Sequence, residues 1–169
     1  DANALVEIAE QIGDAQKLAE AHLAQAKVNI RTSSYDKAQV ACYRALAAAK
    51  EGGHPQLEVK CLHSIALLMW YMEEYDEAEA YFKHELNTHA DSVDSSLLAQ
   101  SFHYLGAISW RRGEYDAAEK YYNQALKLRD AQKAIPGKAS TLMALGTMYG
   151  SKGDYQKSIE THEEVRALA

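Results

Sequence analysis

Proline is almost missing from this chain, with two among 169 residues, and so are the alternating Val, Ile and Thr runs from which strands are made. Both absences favour helix, because proline breaks helices and β-branched alternation is what a half-buried strand needs. Cysteine is scarce as well. Cys42 and Cys61 are too few for a disulfide framework and match no zinc or redox spacing, so they read as small buried side chains in a reducing compartment. Basic excess is lacking: 18 Lys and Arg stand against 24 Asp and Glu, giving a net charge of -6, which argues against direct nucleic-acid binding. No apolar run approaches the roughly 18 to 20 residues of a membrane span. The start, Asp1-Ala2-Asn3, has neither the basic flank nor the apolar stretch of a secretion signal, so a cytoplasmic protein is expected.

Catalytic signatures are also missing. No glycine-rich phosphate loop, nucleophile elbow or His-Glu-x-x-His occurs, and His84 and His89 are five apart, which splays them around a helix. No enzyme, metal or cofactor is expected. What remains is a chain 47% hydrophobic and 25% charged, rich in alanine, with the composition of a packed helical protein.

Its organisation is periodic. Ser34-Tyr35-Asp36-Lys37-Ala38, Glu74-Tyr75-Asp76-Glu77-Ala78, Glu114-Tyr115-Asp116-Ala117-Ala118 and Asp154-Tyr155-Gln156-Lys157-Ser158 align with their tyrosines 40 residues apart each time. Each unit holds two helical stripes. In the third, Phe102, Leu105 and Ile108 form one stripe, Arg112-Gly113-Glu114 breaks it, and Tyr115, Ala118, Tyr122, Ala125 and Leu126 form the next. Gly113 and Gly153 suit the left-handed residue that ends a first helix. Gly52-Gly53-His54-Pro55 and Ala134-Ile135-Pro136-Gly137 place proline where a new helix starts, and Asp91 to Ser96 offer capping oxygens. Repeats are therefore expected at 15–54, 55–94, 95–134 and 135–169, with 1–14 as the end of a preceding one, in a single solenoid. The start without Met and the helical pattern running to Ala169 read as part of a longer chain.

These motifs resemble the tetratricopeptide repeat (TPR) family. The fourth unit carries Leu142, Leu145, Gly146, Tyr149, Gly153, Asp154 and Tyr155; the third carries Phe102, Leu105, Gly106, Tyr115, Ala118, Tyr122 and Ala125. The usual repeat is about 34 residues, so a 40-residue period implies longer helices. It is most similar to the long-repeat subclass of kinesin light chains, Leu-Gly-Asn-repeat adaptors and bacterial regulatory regions. The motifs do not choose among these. The fold implied is all-α, a right-handed α-α superhelix of about four hairpins plus a partial N-terminal helix. The first unit is the poorest match, with His22, Gln25 and Asn29 at positions that are mostly apolar elsewhere. Its polar groups must be hydrogen-bonded or wet, and this end is expected to be looser or covered.

In such a stack the first (A) helices line the inner wall and the second (B) helices face outward. Carried over by register, the resemblance implies a groove containing Lys27 and Arg31 from the first unit and Lys60, His63, Leu67, Trp70 and Tyr71 from the second. The third contributes Gln100, His103, Trp110 and Arg111, and the fourth Met143. His63 with His103, and Trp70 with Trp110, are one repeat apart, and aromatic rings facing a groove are typical binding anchors. The basic residues gather on this wall, whereas Glu73, Glu74, Asp76, Glu77, Glu114 and Asp116 belong to turns or B helices. The expected role is a protein-interaction module for an acidic and apolar peptide or protein. The alternative is a sensor segment of a bacterial regulator, binding a small molecule or signal peptide. Self-association through uncapped end faces is a further expectation. The positions of the family's two-carboxylate clamp hold Leu23, Lys27, Ser64, Gln100 and Tyr104, so capture of chaperone C-termini is not expected.

Overall fold

The computed structural model describes residues 2–88 and 94–168, and every regular element among them is an α-helix. His89 and the capping candidates Asp91 and Ser92 lie outside the described residues. The helices are α1 (Ala2–Ile12), α2 (Ala15–Arg31), α3 (Tyr35–Glu51), α4 (Pro55–Tyr71), α5 (Tyr75–Thr88), α6 (Ser95–Arg111), α7 (Tyr115–Ala131), α8 (Ile135–Lys152) and α9 (Tyr155–Ala167). The A helices begin at 15, 55, 95 and 135 and the B helices at 35, 75, 115 and 155. The 40-residue tyrosine spacing is therefore the spacing of the hairpins.

The turns explain that regularity. Gly13, Ser33, Gly53, Glu73, Gly113, Lys133 and Gly153 all have positive φ, and each closes a helix two residues before the next begins. After six of them the following amide donates to the carbonyl five residues back: Ser34 to Asn29, His54 to Ala49, Glu74 to Met69, Glu114 to Ser109, Ala134 to Arg129 and Asp154 to Tyr149, all at 2.8–3.0 Å. This is the Schellman closure, which satisfies carbonyls that a helix end leaves orphaned. Asp14, Asp94 and Asp154 cap the helices they precede by accepting from Lys17, Ser96 and Lys157 amides. Pro55 and Pro136 stand in the first turns of α4 and α8, where no amide hydrogen is needed.

The chain divides into two compact units, Asp1–Val93 with α1 to α5 and Asp94–Ala169 with α6 to α9. Within each, every helix packs on its neighbour in the chain, and A helices also meet A helices, α2 with α4 and α6 with α8. The B helices of the first unit, α3 and α5, approach only through long side chains such as Tyr43 and Tyr81, whose hydroxyls are 3.4 Å apart. Hence the A helices crowd together on one side of each unit.

Small residues make the hairpins tight. Position i of an A helix faces position i+16 of its B helix: Ala26 and Cys42, Ala66 and Phe82, Gly106 and Tyr122, Gly146 and His162 occupy this register. A Cβ on Gly106 would lie 2.8 Å from the Tyr122 ring, which is fully buried; one on Gly146 would lie 2.9 Å from the His162 ring, which is exposed. Cys42 and Cys61 are free and buried in the first unit, and burial pushes both thiols up to about 12. They fill space rather than react.

The N-terminal polar residues find partners. His22 Nδ1 lies 3.3 Å from Gln25 Oε1, and Gln25 Nε2 donates to Asn3 Oδ1 on α1 at 2.8 Å, so α1 covers this poorly matching repeat. Two substitutions test the hairpin register. Gly106→Ala is expected to destabilise by about 1–3 kcal/mol, because the Tyr122 ring has nowhere to go. Gly146→Ala is expected to be neutral or to stabilise by up to about 1 kcal/mol, because His162 swings into solvent and Ala is the better helix former. Urea denaturation of the two variants reads the difference; equal losses would refute it.

Candidate functional site

The A-helix wall of the first unit is made by the outward faces of α2 and α4. Lys27, Arg31 and Lys60 are exposed on it, as is Tyr71 at 47%, while Leu67 and Trp70 are half-buried. The Trp70 ring sits 5.2 Å from that of Tyr75, tilted by 56°, so part of the indole packs on the start of α5 and the rest reaches the surface. In the second unit, α6 and α8 present Arg111 and Met143, the latter 54% exposed, with Trp110, Gln100 and His103 half-buried.

The two histidines, equivalent in sequence, go to different places. His63 is 4% exposed, and its Nδ1 donates to Glu85 Oε2 at 3.0 Å, with its ring edge-on to Phe82 at 5.6 Å. It is therefore part of the α4–α5 core and not of the exposed wall. The reason is local: α5 alone carries a carboxylate at this level, Glu85, where α7 has the buried Ala125. With no acid below it, His103 turns instead toward the next A helix, and its Nδ1 lies 3.1 Å from Thr141 Oγ1 on α8.

Thr141 joins His103 to a residue that the repeat pattern did not single out. Arg129, in the last turn of α7, is 8% exposed, and its Nη1 donates to both Gly137 O and Thr141 Oγ1. Because Thr141 Oγ1 accepts from the guanidinium, its own hydrogen is available to the imidazole, which makes His103 Nδ1 the acceptor and Nε2 the protonated nitrogen. Burial, aided by the Arg129 charge, pushes the His103 pKa down to about 4, so the ring is neutral at physiological pH. The repeat frame sets Arg129 in the same column as Ala49, which is fully buried, and that equivalence was the available signal. Nearby Lys138 pairs with Asp130 at 2.8 Å and Glu164 at 3.4 Å.

His103 and Arg129 line a cavity of about 440 Å³ in the second unit, bounded by α6, the end of α7 and the start of α8. A second hollow of about 410 Å³, between Asn3, Gln25, Asn29 and the start of α3, lies in the first unit. Among the described residues no cluster of three or more His, Cys, Asp or Glu is arranged to hold a metal, and no helix is long and apolar enough to cross a membrane.

Helical hairpins at a constant interval, each closed on a small A-helix residue, define a helical-repeat protein of the TPR solenoid class. The chain belongs to the tetratricopeptide repeat family, whose model matches residues 58–131 and 97–169. Solved structures share the fold. BtubC (BKLC) from P. vanneervenii superposes with a TM-score of 0.86 at 22% identity, covering 99% of this chain and 70% of that one. A protein of nearly identical TPR-like repeats, a kinesin light chain of Podospora anserina, gives 0.72 at 18% identity, covering 99% and 82%. Rap protein complexed with Competence and Sporulation Factor gives 0.72 at 17% identity, covering 92% of this chain but 41% of that one. No curated protein matches by sequence.

The neutral, buried His103 makes stability depend on pH. The folded pKa is depressed below the ordinary value of 6.5, so the unfolded chain binds the proton first as acid is added. Stability is thus lost as pH falls from about 6.5 toward about 4. Thermal melts of wild type and His103→Gln over this range are expected to converge at low pH, the variant falling less steeply; parallel curves would remove His103 from the account.

Proposed function

We propose that this chain is a non-catalytic interaction module, placed in the cytoplasm, whose repeats at 15–54, 55–94, 95–134 and 135–169 present their A helices to a protein or peptide with acidic and apolar side chains. The observation that carries this is the make-up of the A-helix walls. In the first unit exposed Lys27, Arg31 and Lys60 share the A-helix wall with Trp70 and Tyr71, and in the second Arg111 shares it with Trp110 and Met143, on a chain whose net charge is -6. Exposed cations beside aromatic rings attract an acidic partner. Half-buried aromatics held by packing lose little entropy on contact, so they serve as anchors. The acids Asp116 and Glu119 meet Lys152, Tyr149 and Lys157 on the hairpin ends, away from that role.

Family membership supports the reading, since helical-repeat scaffolds expose one helix set for recognition. A ligand-sensing role is the second reading, and the cavity beside His103 favours it, because a partner surface alone does not call for a pocket lined by a buried arginine.

Two measurements test the first reading. On an array of acidic-apolar peptides, Trp70→Ala with Trp110→Ala is expected to keep the circular-dichroism spectrum and weaken the bound peptides by about 30-fold, as loss of hot-spot anchors does. Affinity should also fall several-fold as salt rises from about 0.05 to about 0.5 M. Unchanged binding in the double variant would move the partner off this wall, and salt-independent binding would remove the charge argument.

A further inference from the structure

We propose that the cavity between α6, α7 and α8 is a binding site for a single carboxylate, received by Arg129. Arg129 is buried, only 8% exposed, yet among the described residues no Asp or Glu pairs with it. The adjacent acid, Asp130, is engaged by Lys138, and the cavity lining contains neither Asp nor Glu. A buried charge without a counter-charge is costly, and a protein keeps one where an ion or ligand completes it.

The donors are arranged for a planar anion. Gly137 O and Thr141 Oγ1 hold Nη1 and so fix the plane of the group; Nε and Nη2, the edge that grips a carboxylate through two parallel hydrogen bonds, take no partner among the described residues. Gly137 lets the side chain lie flat on α8, since a Cβ there would come within 3.2 Å of Nε. Gln132, one turn of backbone beyond Arg129, lines the same cavity, and its amide Nε2 is buried with no hydrogen-bond partner. The first turn of the 18-residue α8 has no side-chain cap and opens on the cavity, adding its positive end. His103, kept neutral by burial and the Arg129 charge, adds no second charge. One full positive charge with neutral donors suits a monoanion better than a doubly charged phosphate.

The carboxylate has two conceivable sources with the same chemistry, a small free acid and a Glu or Asp side chain of a bound peptide. This site is distinct in residues from the Trp-bearing walls, so it stands or falls separately from them.

Calorimetric titration of the 169-residue chain with butyrate, with an acetylated, amidated tetrapeptide bearing one Glu, and with its Gln twin distinguishes the sources. Saturation by butyrate assigns a free acid; saturation by the Glu peptide but not by butyrate or the Gln twin assigns a side chain. In either case the His103 imidazole resonance should titrate at higher pH when the site is filled, because the bound anion offsets the Arg129 charge. Arg129→Lys, which keeps the charge and loses the fork, is expected to weaken binding by about tenfold or more. Ser140→Asp, at an exposed lining position, supplies the counter-charge internally and should abolish binding, whereas Ser140→Asn should retain it; this pair decides the matter even where Arg129→Lys does not fold. Binding should persist in the Trp70→Ala, Trp110→Ala variant. The proposal is overturned by no saturable binding of any carboxylate probe, by inorganic phosphate binding as tightly, or by Ser140→Asp binding like wild type.

Discussion

The close approach of paired helices at one small residue governs this structure. Where Gly106 sits, the α6 backbone and the Tyr122 ring come together without room for a methyl group, and the rest of the hairpin follows from that contact. The aromatic residue on the B helix can be buried completely only because the A helix yields there, and the burial of Tyr122 and Phe82 supplies much of the apolar area that holds each pair. The left-handed turns then keep the count. A closure of identical hydrogen-bond pattern after six of the helices leaves no slack, so position i meets position i+16 in repeat after repeat.

Repetition of backbone does not impose repetition of chemistry. The same A-helix position holds His63 and His103, but one is drawn into a core by Glu85 and the other bridges to Thr141 of the following hairpin. A single difference on the B helix, glutamate against alanine, decides which way the imidazole turns. The third hairpin thereby acquires a junction in which a neutral histidine, a threonine and a buried arginine meet beside one cavity. Solenoids place function at such junctions because each interface is assembled from two repeats whose residues vary independently.

The walls and the junction differ in physical character. Exposed cations and half-buried indoles on the A helices suit a broad, screened, partly apolar contact, in which charge governs approach and ring burial governs hold. The Arg129 cavity is confined to one helix junction and its lining carries no Asp or Glu, so its energetics are those of one partly desolvated ion pair.

Helix type, the 40-residue interval, the positions of the turns and the family were all legible from one dimension, because they depend on local preferences: glycine and small polar residues at left-handed positions, proline in first turns, apolar stripes at helical spacing. The left-handed Ser33, Glu73 and Lys133 were not, since nothing in those side chains asks for that conformation and the hydrogen-bonded closure imposes it. The exposed Lys27, Arg31, Lys60, Tyr71, Arg111 and Met143 followed from register, which assigns a face. Whether a residue on that face points out or in, as His63 does, was decided by the partner across the hairpin. His103 on α6, Arg129 and Gln132 at the end of α7, and Gly137 at the start of α8 share no motif, and only the packing of the three helices brings them to one cavity. Register is a property of a chain with itself, whereas burial and charge balance belong to the neighbours that folding supplies.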